Sequence, residues 1–147
     1  MGLIDDLDDR PVALDTAVFI YFIEKHEEFH PIVRPLFAAI DGGTLEAVTS
    51  ALTLLEVLVM PYRVGDLALA GSYENALTRS RIRLVEIGPP QLRAAAQLRA
   101  VHRAIRTPDA LQISAALSSG CSTFVTNDRN LPTPPGLRVL QIRDYAG

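Results

Sequence analysis

The chain has 147 residues, of which 48% are hydrophobic and 21% are charged, and its formal net charge is -3. This length fits one domain with a sizeable core, and the composition excludes disordered and fibrous chains. No stretch is long and apolar enough to span a membrane, and the acidic N-terminus does not resemble a secretory signal. The single cysteine, Cys121, cannot form an internal disulfide, so we expect a cytoplasmic protein.

The first half of the sequence predicts two strands separated by helices. Residues 11–14 are typical of a short buried strand, and helices are predicted over residues 16–23 and from His30 to about Gly42. A second strand is predicted over residues 45–49, and Ser50 can cap the apolar helix that follows and reaches Met60 and Pro61. Residues 65 to about 80 have the amphipathic pattern of a further helix.

The second half continues the alternation. A strand over residues 84–87 precedes a helix from Pro89 to about 105. Thr107 as cap and Pro108 in the first turn predict another helix, which ends near Gly120. The last predicted strands cover residues 123–126 and 138–142. Strands separated by helices predict an α/β fold, with a mainly parallel sheet of four to five strands covered on both faces.

Three apolar stretches each contain a single carboxylate. These carboxylates are Asp15, Glu56 and Asp109, and a fourth, Asp128, follows the predicted strand 123–126. An unpaired buried carboxylate costs several kcal/mol unless something neutralises it. At least three carboxylates in apolar segments therefore need an explanation.

Each carboxylate also has a purely structural explanation. Asp15 could cap the helix that follows it, and Asp109 could sit in a first helical turn, where the helix dipole favours anions. Asp128 could belong to a turn with its neighbouring asparagines. Glu56 is the hardest to explain in this way, because a glutamate in mid-helix caps nothing; its structural explanation is an exposed position on a helix that only looks buried.

The positions of the four acids along the chain favour a shared site. Asp15 and Asp128 follow two predicted strands, and Asp109 opens the helix that leads into the second of them. Ligands of parallel sheets bind outside the carboxyl ends of the strands, so these groups should meet there if Glu56 faces the same crevice. Like charges need a cation to stay together, and an all-oxygen set favours Mg²⁺ or Mn²⁺. Such a site suits phosphoryl chemistry.

The charged residues are unevenly distributed. Residues 1–28 contain eight acids, whereas residues 79–106 contain seven arginines and one acid. A basic segment in an acidic protein is compatible with a polyanionic partner. The alternative is a set of solvated helix faces.

The motifs DTAVFI, LTLLEVLV, TPDALQISAAL and FVTNDRNL, taken in this order, resemble those of PIN-domain nucleases and, among them, VapC-type toxins. The resemblance covers nearly the whole chain as a single PIN-like domain, and residues 1–10 form an acidic extension before its usual start. It implies an α/β/α sandwich and an endoribonuclease dependent on Mg²⁺ or Mn²⁺.

The resemblance also implies roles for individual residues. Asp15 and Asp109 match the principal metal ligands, Glu56 and Asp128 match the remaining acids, and Thr126 matches a hydroxyl that supports the site. Many members carry Asn or Ser where this chain has Ala at position 17, so no polar contribution is expected there. A metal held by Asp15 and Asp109 would activate water for attack on an RNA phosphodiester, and arginines of residues 79–106 would neutralise flanking phosphates.

Family members commonly form homodimers, and a small VapB-like antitoxin holds them inactive. The resemblance therefore implies three partners, namely RNA, an antitoxin and a second copy of the chain. The alternative is a PIN-like module that binds RNA or protein without cleaving anything. A metal titration distinguishes the two.

Overall fold

The computed structural model describes residues 2–132 and 134–147 and contains five strands. The strands are β1 (Val12–Leu14), β2 (Ala47–Ser50), β3 (Arg83–Val85), β4 (Thr123–Thr126) and β5 (Arg138–Gln141). The helices are α1 (Thr16–Ile23), α2 (His30–Asp41), α3 (Leu52–Val64), α4 (Leu67–Thr78), α5 (Pro89–Val101) and α6 (Thr107–Ser118). None of the helices in the described part of the chain has the length and apolarity needed to traverse a lipid bilayer.

All five strands are parallel and lie in the order β3-β2-β1-β4-β5. The central strand β1 is buried over its whole length, and alternate side chains point to opposite faces. Val12 and Leu14 pack into a core with α1 to α4, whereas Ala13 packs into a second core with α5 and α6. The predicted fold class is confirmed: helices cover both faces of a parallel sheet.

Capping residues explain where α3 and α4 meet. The predicted end of α3 at Pro61 is wrong, because the helix runs through this proline for one more turn. It stops at Gly65, whose φ of 73° is in the left-handed region that glycine adopts without strain. Asp66 then caps α4, accepting a hydrogen bond from the Leu69 amide at 3.0 Å, so this helix begins after the predicted residue 65.

The remaining boundaries agree with the prediction to within four residues, and those of α1 and β4 coincide with it. Thr107 is the first residue of α6 rather than its cap, and Arg106 occupies the capping position without a side-chain bond. Ser50 closes β2, yet its hydroxyl accepts a hydrogen bond from the Leu52 amide at 3.2 Å, as expected of a residue that starts α3. The strands β1, β2 and β3 are short or shifted because each extends only where its neighbours offer backbone partners.

The acidic N-terminal segment packs against the domain. Leu3 lies in a short 3-10 helix over residues 3–6 and is 2% exposed in the core beside α2. Asp8 accepts hydrogen bonds from the Ser122 hydroxyl at 2.7 and 2.8 Å, which lowers the pKa of Asp8. Asp6 accepts hydrogen bonds from Tyr145 and, through its carbonyl, from Arg138. These contacts tie the segment to β4, β5 and the C-terminal residues.

Candidate active site at the carboxyl ends of the strands

The three predicted aspartates lie at one edge of the sheet. Asp15 directly follows β1, Asp128 follows β4 after one residue, and Asp109 stands in the first turn of α6. Each of the three is partly buried. Burial is the main cause of the raised pKa of Asp15 and of Asp109; the charge of Asp128 raises both further, and the charge of Asp15 adds to the rise at Asp109. The sheet therefore brings these carboxylates close enough to repel one another.

Asp15 is held by hydrogen bonds to both carboxylate oxygens. Its Oδ1 accepts from the Thr16 amide at 2.8 Å, so Asp15 caps α1, and its Oδ2 accepts from the Thr126 hydroxyl at 2.6 Å. Burial is the largest influence on its pKa and raises it. The two hydrogen bonds lower it, and the neighbouring charges of Glu56 and Asp128 raise it again. Asp15 therefore caps α1 and also lies among the acids, so its structural explanation and its functional explanation do not exclude each other.

Asp109 and Asp128 are fixed less tightly. Burial raises the pKa of Asp109, and the positive charge of Arg106, one turn earlier, opposes this shift. The Asp128 side chain accepts from the Asn130 amide at 2.9 Å, which is the turn anticipated from the sequence, and its own amide donates to the Thr126 hydroxyl at 3.1 Å. Thr126 thus connects Asp15 with Asp128.

The premise that Glu56 is buried is wrong, because its side chain is exposed on α3. The apolar residues around it in the sequence leave this face of the helix open. Glu56 is nevertheless directed towards the other acids, since its Oε1 accepts a hydrogen bond from the Thr16 hydroxyl at 2.6 Å. Thr16 therefore contacts two carboxylates, Asp15 through its amide and Glu56 through its hydroxyl.

Two groups of polar residues that were not predicted from the sequence support the carboxylates. Behind Thr16 lie Thr49, Thr53 and Gln112, which are at most 5% exposed and joined by hydrogen bonds. Gln112 is the one long polar side chain in the motif ALQISAAL, and it follows Asp109 by three residues, so both lie on one face of α6. That spacing is the signal that could have identified it.

The second group of supporting residues surrounds Asn127, between Thr126 and Asp128. Its carbonyl Oδ1 accepts hydrogen bonds from the Arg143 amide and from Arg143 Nε, each at 3.0 Å. Its amide nitrogen donates to the Tyr21 hydroxyl at 3.2 Å. The loop that carries Asp128 is thus anchored to α1 and to the residues after β5. No local sequence signal connects these three distant positions.

The donor chemistry of this edge suits a divalent cation. Carboxylates and threonine hydroxyls offer only oxygen, which Mg²⁺ and Mn²⁺ prefer. Burial and the neighbouring carboxylates raise the pKa of both Asp15 and Asp109, in the case of Asp109 against the positive charge of Arg106. Across residues 2–132 and 134–147, however, no three acidic, histidine or cysteine side chains converge closely enough to hold an ion. A metal would therefore have to draw these side chains together on binding.

The arginine-rich segment, residues 79–106, is divided between the edge of the sheet formed by the carboxyl ends of the strands and the edge formed by their amino ends. Arg106 begins α6 beside Asp109, and Arg99 donates to the Thr107 hydroxyl at 3.0 Å, so both lie at the carboxylate edge. Arg83 instead begins β3 and donates to Ser119 at the far end of α6. It lines a cavity of about 340 Å³ with Arg81 at the opposite edge. Two of the seven predicted phosphate-neutralising arginines, Arg81 and Arg83, are thus remote from the candidate site.

Comparison with protein families gives one match. The family described as PIN domain matches residues 12–136, which span β1 to β4 and end before β5. No curated protein sequence matches the chain significantly. The family resemblance predicted from the four motifs is therefore confirmed for most of the chain.

Solved structures match the fold over most of its length at low sequence identity. The VapBC2 complex of Rickettsia felis bound to a promoter DNA fragment has a matching chain with a TM-score of 0.69 and 19% identity, covering 89% of this chain and 98% of that one. VapC20 of Mycobacterium tuberculosis, described as a sarcin-ricin loop cleaving toxin, matches with a TM-score of 0.63, 16% identity and coverages of 77% and 86%. FitAcB of Neisseria gonorrhoeae matches with a TM-score of 0.62, 18% identity and coverages of 90% and 98%.

Proposed function

This chain belongs to the PIN domain family, and we propose that it is a divalent-metal-dependent endoribonuclease that acts in the cytoplasm as the toxin of a toxin–antitoxin pair. The observation that carries this proposal is the set of carboxylates at the carboxyl edge of the sheet. Burial and mutual repulsion raise the pKa of both Asp15 and Asp109 there. Carboxylates held together in this way repel one another unless a cation shares their charge.

Asp15 and Asp109 would hold a Mg²⁺ or Mn²⁺ ion, with Asp128 and Glu56 completing its surroundings. When bound, such an ion lowers the pKa of an attacking water and stabilises the charge that develops on the phosphate. Thr126 contributes by orienting Asp15 through its 2.6 Å hydrogen bond. A bond of this kind fixes the direction in which the carboxylate presents its remaining lone pairs.

Arg106 supplies positive charge next to the acids, where a polyanionic substrate would otherwise be repelled. It is exposed and lies close enough to Asp109 to influence the pKa of that carboxyl. We assign Arg106 and Arg99 to the phosphates that flank the cleaved bond, since arginine binds phosphate through two parallel hydrogen bonds. The arginines at the other edge of the sheet are not assigned this role.

The proposed partners are an antitoxin, as in a toxin–antitoxin complex one of whose chains shares this fold, and a second copy of the chain. Two apolar surfaces offer room for them. One runs along α3 into α4 and contains six exposed large side chains: Leu55, Val59, Met60, Tyr62, Val64 and Leu67. The other is a groove of about 460 Å³ between α5 and α6, next to the exposed Val101 and Leu117. Exposed apolar patches of this kind mark interaction surfaces.

The proposed activity is tested by incubating purified wild type, Asp109→Asn and Asp41→Asn with total RNA in Mg²⁺, in Mn²⁺ and in EDTA. Asp41 is an exposed acid at the end of α2, so its substitution controls for a simple change of charge. We expect the wild type and Asp41→Asn to cleave RNA only with metal, and Asp109→Asn to be inactive in every condition.

Cleavage by Asp109→Asn, or cleavage that persists in EDTA, would contradict the proposed site. An inactive wild type that still binds RNA would favour the alternative, a binding module without catalysis. That alternative has one observation in its support, namely that no three acids among the described residues converge as they stand.

A further inference from the structure

Glu56 has no support from its own helix. Its side chain is exposed on α3, and a glutamate with three free torsions must lose rotamer entropy to occupy one position. Among the described residues, its hydrogen-bond donor is the Thr16 hydroxyl of α1, at 2.6 Å. Whatever orients Thr16 therefore also orients Glu56.

A buried polar cluster lies behind Thr16. The Gln112 amide nitrogen on α6 is 2.8 Å from Thr53 Oγ1 on α3 and 3.5 Å from Thr16 Oγ1. Thr53 Oγ1 is 2.7 Å from Thr49 Oγ1 on β2, which in turn is 2.8 Å from the Leu14 carbonyl oxygen. The cluster thus links α6, α3, α1 and β2 to the residue that precedes Asp15.

Counting donors fixes the direction of each hydrogen bond in this cluster. Thr49 donates its one hydroxyl proton to the Leu14 carbonyl, so Thr53 must donate to Thr49 and accept from Gln112. Thr16 donates to the charged Glu56 at 2.6 Å, in preference to Thr53 at 3.4 Å.

Gln112 is the one group of the cluster with two protons to give. Its amide nitrogen faces Thr53 and Thr16, and its carbonyl oxygen faces the Ser50 amide at 3.4 Å. This pairing of donors and acceptors also determines which way the amide is turned. Removing Gln112 would leave the hydroxyl of Thr53 without a donor in a site that excludes water.

We propose that Gln112 is a positioning residue: Thr53 fixes the Gln112 amide by accepting one of its protons, and the amide donates the other to Thr16, which holds Glu56 at the candidate active site. Because Gln112 follows Asp109 on the same face of α6, the helix that presents one carboxylate also orients another. The effect of this arrangement on catalysis rests on the proposed nuclease function, whereas its effect on the geometry of Glu56 does not.

Four single variants test the catalytic effect. Gln112→Leu removes the amide donor and Thr53→Val removes the hydroxyl, each at nearly constant side-chain volume. Thr53→Ser keeps the hydroxyl. Gln91→Leu is the matched control, because Gln91 makes two comparable side-chain hydrogen bonds to Ser114 and Ser118 away from the acids. We expect Gln112→Leu and Thr53→Val to lower kcat by about 10–100-fold with little change in KM, as other outer supports of metal ligands do.

Thr53→Ser and Gln91→Leu should retain most of the wild-type kcat, and thermal unfolding should confirm that every variant is folded. In a Glu56→Gln background, Gln112→Leu should cause no further loss, because the residue it acts through is already gone. A folded Gln112→Leu protein with wild-type kcat, or losses that multiply in the double variant, would overturn the proposal.

A second measurement remains decisive if the wild type cleaves no RNA. Crystal structures of metal-free wild type and Gln112→Leu show directly whether Glu56 stays on Thr16. We expect the 2.6 Å contact in the wild type and a displaced Glu56 in the variant. An unchanged contact in Gln112→Leu would reject the positioning role, independently of whether the nuclease function holds.

Discussion

Asp15 and Glu56 are carboxylates of the same candidate site, but the fold holds them in different ways. Asp15 follows the central strand, and two hydrogen bonds fix its two oxygens in a partly buried position. Glu56 is exposed and depends on one hydroxyl from another helix. The first carboxylate is placed by the backbone of the sheet, whereas the second is brought in by side chains. Their substitution should therefore have unequal consequences.

The largest expected effect is on RNA cleavage by Asp15→Asn. As a proposed principal ligand, Asp15 should contribute more than the 10–100-fold that outer supports of a metal site contribute, so we expect a loss of well over about 100-fold. Glu56→Gln should lose less, because its carboxylate completes the site rather than anchors it. Cleavage rates at saturating Mn²⁺ measure both. A Glu56→Gln loss equal to that of Asp15→Asn would remove the distinction between the two residues.

Two threonines on β4 offer a sharper test of how Asp15 is fixed. Thr126 donates to Asp15 at the carboxyl end of the strand, whereas Thr123 accepts from Arg138 at its start. Both are almost fully buried. We expect Thr126→Val to lower cleavage by about 10–100-fold and Thr123→Val to leave it near the wild-type level. Comparable losses in the two variants would point to a general effect on the sheet instead of an effect on Asp15.

The pH dependence of stability should also reveal the burial of Asp15. Burial raises its pKa above the ordinary value of 3.8. Between that value and the raised one, the folded chain binds more protons than the unfolded chain, so the free energy of unfolding falls as pH rises. Metal-free wild type should therefore lose stability across this window, and Asp15→Asn should lose less and be the more stable protein at neutral pH. Denaturant unfolding in EDTA measures both profiles.

If the free energy of unfolding of Asp15→Asn fell with rising pH as steeply as that of the wild type, the assignment of this pH dependence to Asp15 would be contradicted. Asp109→Asn provides a second comparison, because burial also raises the pKa of Asp109 and Arg106 partly opposes the shift. Adding Mn²⁺ should restore the stability of the wild type at neutral pH but not that of either variant, since a ligand stabilises only the state that binds it.

The sheet and its acidic edge could be predicted because they depend on local patterns. The short apolar run before Asp15 and the run before Asn127 are typical of buried parallel strands, and a side chain that follows such a strand must lie at its carboxyl end. Helix ends were predicted less well. Pro61 suggested a stop, but Gly65 decides the end of α3, because a left-handed residue is a stronger terminator than a proline that the last turn can absorb.

The supports of the carboxylates could not be predicted in the same way. Thr16 and Glu56 are 40 residues apart, and Gln112 and Thr53 are 59 apart, so their contacts depend on how helices pack. The apolar residues around Glu56 in the sequence also predicted a buried side chain. Its exposed position follows from the rotation of α3 about its axis. Sequence patterns indicate which residues need a partner, and only the packed structure shows which partner they find.

The smallest expected effect distinguishes the two edges of the sheet by their arginines. Arg106 starts α6 beside the acids, whereas Arg83 contacts Ser119 just beyond the end of this 12-residue helix, about 18 Å away along its axis. Binding of single-stranded RNA to the uncleaving Asp109→Asn protein should weaken with salt. Adding Arg106→Gln should reduce the slope of log K against log salt by about 0.7, the value for one lost phosphate contact. Arg83→Gln should leave this slope unchanged, because the phosphates that flank the proposed cleavage site would contact only the edge that carries Arg106. Equal changes in both variants would mean that RNA spans the whole face of α6, and that the division of the arginines has no part in substrate binding.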